Sequence, residues 1–301
     1  MSQLYDGPII DSHHHLWHLG EGQYPWLERM HSDVTAIGTY DRIRKDYLIG
    51  DYAADVAGQN VIGSVHVEAL PKDPVSEVHW VSSLAKRHHI AERLIAAGDV
   101  ASPEFPDLIR ELVKFSPVVG VRSILSWHPT PALRFVTDPN RAFSPRWVDG
   151  IGCLAEKGLI LELMMYPYQA PQVFAAALTL PQLTIVINHC ASPIDRDAEG
   201  IRRWRMGLEL MSRAPNIHVK VSNPGVYVPR WKDTDIVEII RACINAMGHE
   251  RVMFGTDLPV STLHTSTLDI FRLARAGAAN EPLSAQEKFF YQNAKRIYRM
   301  R

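Results

Sequence analysis

PIIDSHHHLW, residues 8–17, runs from two β-branched isoleucines into an acid and three consecutive histidines. It reads as a short buried strand whose far end carries polar chemistry. Working outward, the same pattern recurs. The further runs are VIGSVHVEAL (61–70), LIAAGDVA (94–101), VVGVRSIL (118–125), LILELMMY (159–166), LTIVINHC (183–190), IHVKVSN (217–223) and RVMFGTDLP (251–259). Helical patterns such as SEVHWVSSLAKRHH, FPDLIRELVKF, DGIGCLAEKG, IRRWRMGLELMSR and DIVEIIRACINAMG fall between them. Strands alternating with helices imply right-handed βαβ units and a parallel sheet. Eight such units predict closure into an α/β (β/α)8 TIM barrel.

The 301 residues suit one such barrel, which needs about 250 plus insertions, and 1–301 reads as a single domain. The first unit is irregular. Residues 18–50 hold Gly20, Gly22, Pro25 and Gly38, and predict a long excursion over one end of the barrel. A second irregular loop spans 127–145, and SAQEKFFYQNAKRIYRM reads as an extra C-terminal amphipathic helix.

The chain is 46% hydrophobic and 22% charged, enough for a sizeable core. Its formal charge of −1 leaves no basic excess for nucleic acid, so the expected partner is a small-molecule substrate recognised locally. Cys153, Cys190 and Cys243 are sparse and form no CxxC pair, which favours a reducing compartment. The opening MSQLYDGPII lacks a basic segment followed by an apolar run, and no stretch approaches a membrane span. A cytoplasmic location without membrane association is expected, and self-association into a homo-oligomer is compatible with the sequence.

Active sites of such barrels sit at the C-terminal ends of the strands. The polar residues there are His13, His14 and His15 on the first strand, His66 and Glu68 on the second, and Arg122 on the fourth. His189 ends the sixth, Lys220 and Ser222 the seventh, and Asp257 the eighth. Side chains alternate faces along a strand, so His13 and His15 point one way together with Asp11, and His14 the other. Two imidazoles on one face can converge on a divalent ion, joined by His189 and Asp257. A buried Arg122 needs a partner, either a structural carboxylate or a substrate carboxylate or oxyanion. Trp26, beside Trp17 in the first loop, can wall a pocket. Glu68, Lys220 and His128 are further candidates for substrate contact. Cys190 follows His189 and reads as a buried structural thiol. Neither a GxSxG elbow nor a phosphate-binding GxGxxG follows any strand.

With these residues aligned, the chain resembles the amidohydrolase superfamily. It looks most like the branch of 2-pyrone-4,6-dicarboxylate lactonase and sugar-acid lactonases such as L-fuconolactonase. The markers are IIDSHHHLW (9–17), YPWL (24–27), VHVEA (65–69), GVRSIL (120–125), INHCASP (187–193), FGTDLPV (254–260) and QNAKRIYRM (292–300). By this resemblance His13, His15, His189 and Asp257 match the superfamily's metal and catalytic positions. Two-metal members carry a carboxylated lysine or a glutamate at strand four, where this chain has Arg122. The resemblance therefore implies one divalent ion, zinc first, or a metal-independent route. The chain departs from the pattern at KVSNPGVY, where KxSG is usual, and at GTDLP, where GSDxP is commoner.

The expected activity is hydrolysis of a cyclic ester. Asp257 serves as general base, His13, His15 and His189 hold a metal or the carbonyl oxygen, and Arg122 steadies negative charge. The alternatives are a metal-dependent non-oxidative decarboxylase of an aromatic acid and a non-catalytic metabolite-binding barrel.

Overall fold

The computed structural model describes residues 4–28, 38–88, 90–227 and 231–300. All eight apolar runs become strands: β1 (Ile9–His14), β2 (Val61–Val67), β3 (Arg93–Ala97), β4 (Val118–Ile124), β5 (Ile160–Met164), β6 (Ile185–Ile187), β7 (Ile217–Val221) and β8 (Val252–Phe254). They lie side by side in sequence order, and consecutive strands pair in parallel. The strands are nearly continuous in Val, Ile and Leu because both faces are covered. The polar residues after each run leave the ladder and form the C-terminal rim.

The barrel closes between β8 and β1 without a regular ladder. Asp257 N donates to His13 O (2.7 Å) and His15 N to Leu258 O (2.8 Å). Ser12 Oγ donates to Phe254 O (2.6 Å). The Asp11 carboxylate stitches the rest of this seam, accepting from Thr256 N (2.8 Å) and Thr256 Oγ1 (2.6 Å). The approach is close: a Cβ at Gly255 would lie 2.8 Å from His13 Cβ, so only glycine fits there.

Strict alternation placed Asp11 on the face of His13 and His15, and this is corrected. The β1–β2 register slips between Asp11 and His14, and such an irregularity breaks the period of two. Asp11 Oδ2 accepts from Tyr52 Oη (2.9 Å). His14 stacks on that same ring at 4.1 Å, with its Nε2 3.0 Å from Ser64 Oγ. Both therefore brace the barrel from outside the site.

The described helices are α1 (Pro25–Glu28), α2 (Ile49–Asp55), α3 (Pro74–His88), α4 (Phe105–Leu112), α5 (Pro145–Glu156), α6 (Ala170–Thr179), α7 (Ala198–Ser212), α8 (Asp233–Met247), α9 (Thr267–Ala278), α10 (Leu283–Glu287) and α11 (Asn293–Ile297). Local chemistry fixes several starts. Ser144 accepts from Trp147 N ahead of Pro145 at α5, Asp197 from Gly200 N at α7, and Ser266 from Asp269 N at α9. Trp147 and Trp204 are buried between these helices and the barrel. Within the first excursion α1 and a short 3-10 turn at Asp41–Ile43 are formed, and α2 begins at its end; its residues 29–37, and His89 after α3, lie outside the described residues. None of the described helices is long and apolar enough to cross a membrane.

The expected C-terminal helix is interrupted. A wider π turn over Lys288–Gln292 separates α10 from α11. It lets the adjacent Phe289 and Phe290 both pack against Phe254, at 6.3 and 5.4 Å. Beyond it Ala294, Ile297, Tyr298 and Met300 join Ile10, Val65, Ile160 and Met253 inside the barrel. Arg93, first in β3, donates to Tyr298 O (3.1 Å), and Arg299 donates to Gly158 O just before β5 (2.8 Å). The tail thus plugs the N-terminal mouth and leaves the opposite rim open to substrate.

Buried neutral histidines set the acid limb of stability. Burial holds His66 down to about 3. Burial, then the charges of Arg296 and Arg251, hold His218 at about 4. Below about 6.5 the unfolded chain binds protons that the folded chain refuses, so their contribution is complete above that pH and lost as pH falls. We expect Tm to drop between pH ~6.5 and ~4.5, with a shallower slope in His218→Asn. An unchanged slope in that variant would remove His218 from the account.

Candidate active site

Three strand ends deliver their side chains from left-handed backbone: His189 after β6 (φ 51°), Asn223 after β7 (φ 43°) and Asp257 after β8 (φ 57°). At β6 the left-handed conformation continues through Cys190, Ala191 and Ser192 (φ 57°, 57° and 45°). For L residues this costs roughly 1–2 kcal/mol each. The turn is pinned by Ala191 N donating to Asn188 O (3.0 Å), Ser192 N to His189 O (2.8 Å) and Trp204 Nε1 to Cys190 O (2.7 Å). Cys190 is fully buried beneath it. Strain of this kind persists where the surroundings over-determine a geometry, and it gathers at functional sites.

Asp257 is the hub. Its Oδ1 lies 3.1 Å from His15 Nε2 and 3.3 Å from His13 Nε2. Its Oδ2 accepts from Asn223 Nδ2 (2.7 Å). Burial opposes its ionisation, but the neighbouring His189 and His15 imidazoles and the Asn223 amide outweigh it. The carboxyl is held below the usual carboxylate range. His189 Nδ1 sits 3.0 Å from Ser222 Oγ, and burial pushes this imidazole down to about 4. His13 is held well below the ordinary imidazole range by burial first and Lys220 next. At neutral pH both rings are uncharged and carry lone pairs.

The donor set asks for a cation. His15 Nδ1 must donate to the Val67 carbonyl (2.8 Å), so a neutral ring presents an Nε2 lone pair to Asp257 Oδ1. Two acceptors 3.1 Å apart need a shared proton or metal. Both ring nitrogens of His13 are buried without a hydrogen bond among the described residues, an exception that calls for an explanation such as an ion. One ligand atom each from His13, His189 and Asp257 lies within 4.8 Å of the others. These residues fit a divalent ion. The sequence-based set also held His15; it stands outside this mutual cluster and touches it through Asp257.

Beside the cluster opens a cavity lined by His15, Arg122, His189 and Asp257 among polar residues, and walled by Trp17, Trp26, Tyr40, Leu70, Phe135, Met164 and Tyr227. Trp26 donates its Nε1 to Ala69 O (2.7 Å). Arg122 Nε pairs with Glu68 Oε1, and its Nη2 donates to Glu68 O (2.8 Å). Its buried partner is therefore a structural carboxylate, and its Nη1 has no partner among the described residues. Glu68 and Arg122 also line an adjoining cleft with Asp99 and Arg141.

Two candidates are placed elsewhere. Lys220 lies one inward position below Ser222, fully buried, with Nζ 2.7 Å from Glu162 Oε1. Its charge is paired inside the barrel and it does not line the cavity. His128 is taken up by Asp195 Oδ1 (2.9 Å) and by Thr130 N (3.0 Å), and it too lies off the cavity wall. Sequence reasoning missed Tyr227, whose hydroxyl burial pushes up to about 12. It missed the direct Asn223–Asp257 bond too, although Asn223 follows a strand end much as His189 does. Glu77 was also overlooked. Its Oε1 accepts from Ala69 N (3.0 Å) and Tyr24 Oη (3.2 Å), tying the wall that carries Trp26 to α3.

The sequence pattern of the amidohydrolase family matches residues 10–300. Among curated proteins, the uncharacterized protein y4mH of Sinorhizobium fredii is 30% identical over 99% of this chain and 100% of its own length. An L-fucono-1,5-lactonase of Burkholderia ambifaria is 24% identical over 84% of this chain and 81% of its own. A crystal structure of an amidohydrolase from Burkholderia multivorans with bound zinc superposes with a TM-score of 0.81 at 21% identity, covering 98% of this chain and 100% of that one. With the (β/α)8 frame, the strand-end histidines and this match across nearly its whole length, the chain belongs to the amidohydrolase family.

Proposed function

We propose that the protein is a lactonase that opens a cyclic ester with a base-activated water. The observation that carries this reading is the buried Asp257 carboxylate lining the cavity, with His15 Nε2 at 3.1 Å and His13 Nε2 at 3.3 Å from its Oδ1 and His189 on the same wall. Asp257 takes a proton from water as the oxygen attacks the lactone carbonyl carbon. The ring C–O bond then breaks, and Asp257 returns the proton to the departing alkoxide, leaving a hydroxy acid. His15 and Asn223 hold the carboxylate in register for both transfers. Arg122, fixed by Glu68, donates its remaining N–H to the developing oxyanion or to a substrate carboxylate. His13, His189 and Asp257 would hold a divalent ion, zinc by the character of the donors, with His15 beside them; when bound it supplies Lewis-acid polarisation of the carbonyl. The likeness to L-fucono-1,5-lactonases supports the lactone as substrate.

The reaction is tested by following acid and carbon dioxide together. Acid release without carbon dioxide is the expected result; carbon dioxide formed in step with substrate loss would replace the reading with decarboxylation. The ion is tested by elemental analysis of wild type and His13→Ala. We expect about one zinc per chain, from one donor cluster, and loss of it in the variant. No metal in wild type, with full activity after chelation, would leave the imidazoles as direct hydrogen-bond partners.

A further inference from the structure

We infer that the substrate is a lactone with an apolar, aromatic or aliphatic body rather than a polyhydroxylated sugar-acid lactone. This rests on the lactonase reading above and narrows it. The cavity wall is built from Trp17, Trp26, Tyr40, Leu70, Phe135 and Met164. The two indoles meet edge-to-face at 5.9 Å, and Trp26 meets Tyr40 the same way at 5.0 Å. Such packing fixes flat apolar surfaces around whatever enters.

Most polar handles in this wall are already engaged. Trp17 donates its Nε1 to Lys45 O (2.8 Å) and Trp26 donates its own to Ala69 O (2.7 Å). His15 is held by Val67 O on one side and Asp257 on the other. Arg122 gives Nε and Nη2 to Glu68. The Tyr227 hydroxyl makes no hydrogen bond to its neighbours Ser192 and Tyr166, so this one handle on the cavity wall stays free among the described residues. Apart from the reacting centre, the donors left over among the described residues are Arg122 Nη1 and the Tyr227 hydroxyl. Two such donors suit a carbonyl or a carboxylate and leave the further hydroxyls of a sugar-acid lactone unmatched. A sugar-acid lactone brings several hydroxyls, and each one buried without a partner costs on the order of tenfold in binding. Indole faces accept an aromatic ring and the C–H face of a sugar alike, so the hydroxyl edge decides between them. Two unmatched hydroxyls amount to roughly 100-fold discrimination.

The test uses the purified full chain with dihydrocoumarin, D-glucono-1,5-lactone and L-fucono-1,5-lactone, with rates corrected for spontaneous opening. Binding of each to Asp257→Asn is measured by calorimetry alongside. We expect kcat/KM for dihydrocoumarin to exceed that for either sugar lactone by about 100-fold. Trp26→Ala should raise its KM about tenfold with kcat little changed. Faster opening of a sugar lactone overturns the inference and leaves the lactonase reading standing. Should none be opened, dihydrocoumarin binding more tightly than the sugars keeps the apolar class while the lactonase reading falls. Equal binding, tighter sugar binding, or no binding at all overturns it. So does a Trp26→Ala loss shared equally by all three lactones.

Discussion

Asp257→Asn should lower kcat/KM by roughly 10³-fold or more, the scale expected when a general base is lost, while leaving Tm almost unchanged. The amide is isosteric with the carboxylate and keeps a partner at Asn223 and at His15. The backbone bonds that close the barrel there, Asp257 N to His13 O and His15 N to Leu258 O, do not involve the side chain. The substitution therefore removes proton acceptance and the anionic ligand of the candidate ion site while leaving the backbone closure intact. Initial rates with a pH indicator, read beside a thermal melt, separate the two effects. A variant with wild-type turnover would remove Asp257 from the chemistry, and one that melts far below wild type would show that the carboxylate is structural.

Lys220→Met should be the most destabilising single change in the barrel interior. Glu162 accepts from Lys220 Nζ (2.7 Å), Tyr298 Oη (2.7 Å) and Asn188 Nδ2 (2.8 Å), and both charged groups are fully buried. Lys220 also lies over the Tyr298 ring at 5.0 Å. Removing the ammonium strands a carboxylate away from water, at a cost of about 3–5 kcal/mol. For a chain of this size that is a fall in Tm of order 10 °C. The double variant Glu162→Gln/Lys220→Met should recover much of the loss, because the amide still serves Tyr298 and Asn188 and no lone charge remains. Thermal melts of the two variants decide the matter. A single variant as stable as wild type would mean that the pair contributes nothing net.

The barrel was legible because its signal is repeated. Eight apolar runs separated by helical patterns leave few topologies, and the strand ends then point to His13, His15, His189 and Asp257. What stayed hidden depends on small departures from regularity or on long-range packing. The register slip between Asp11 and His14 is invisible to a rule of strict alternation, so Asp11 was assigned to the wrong face. Alternation does place Lys220 inside the barrel, but it carries no information about depth, and the partner that engages Lys220 lies 58 positions away. The same holds for Arg122, whose guanidinium is taken by Glu68 across 54 positions. Tyr227 and Phe135 sit in loops whose course follows no period, so their place in the wall had no signature.

The seam between the first and last strands has a consequence for synthesis. The His15–Asp257 contact spans 242 positions and the Thr256–Asp11 bond 245. Contacts so distant carry a large closure cost and form late. A chain still attached to the ribosome and ending before Asp257 has an open edge on β1 and histidines without their carboxylate. At roughly 5–20 residues per second, that edge waits on the order of 10–50 s for its partner. The joint that completes the barrel is also the joint that assembles the reactive centre, so a nascent or truncated chain is closed and competent together or neither.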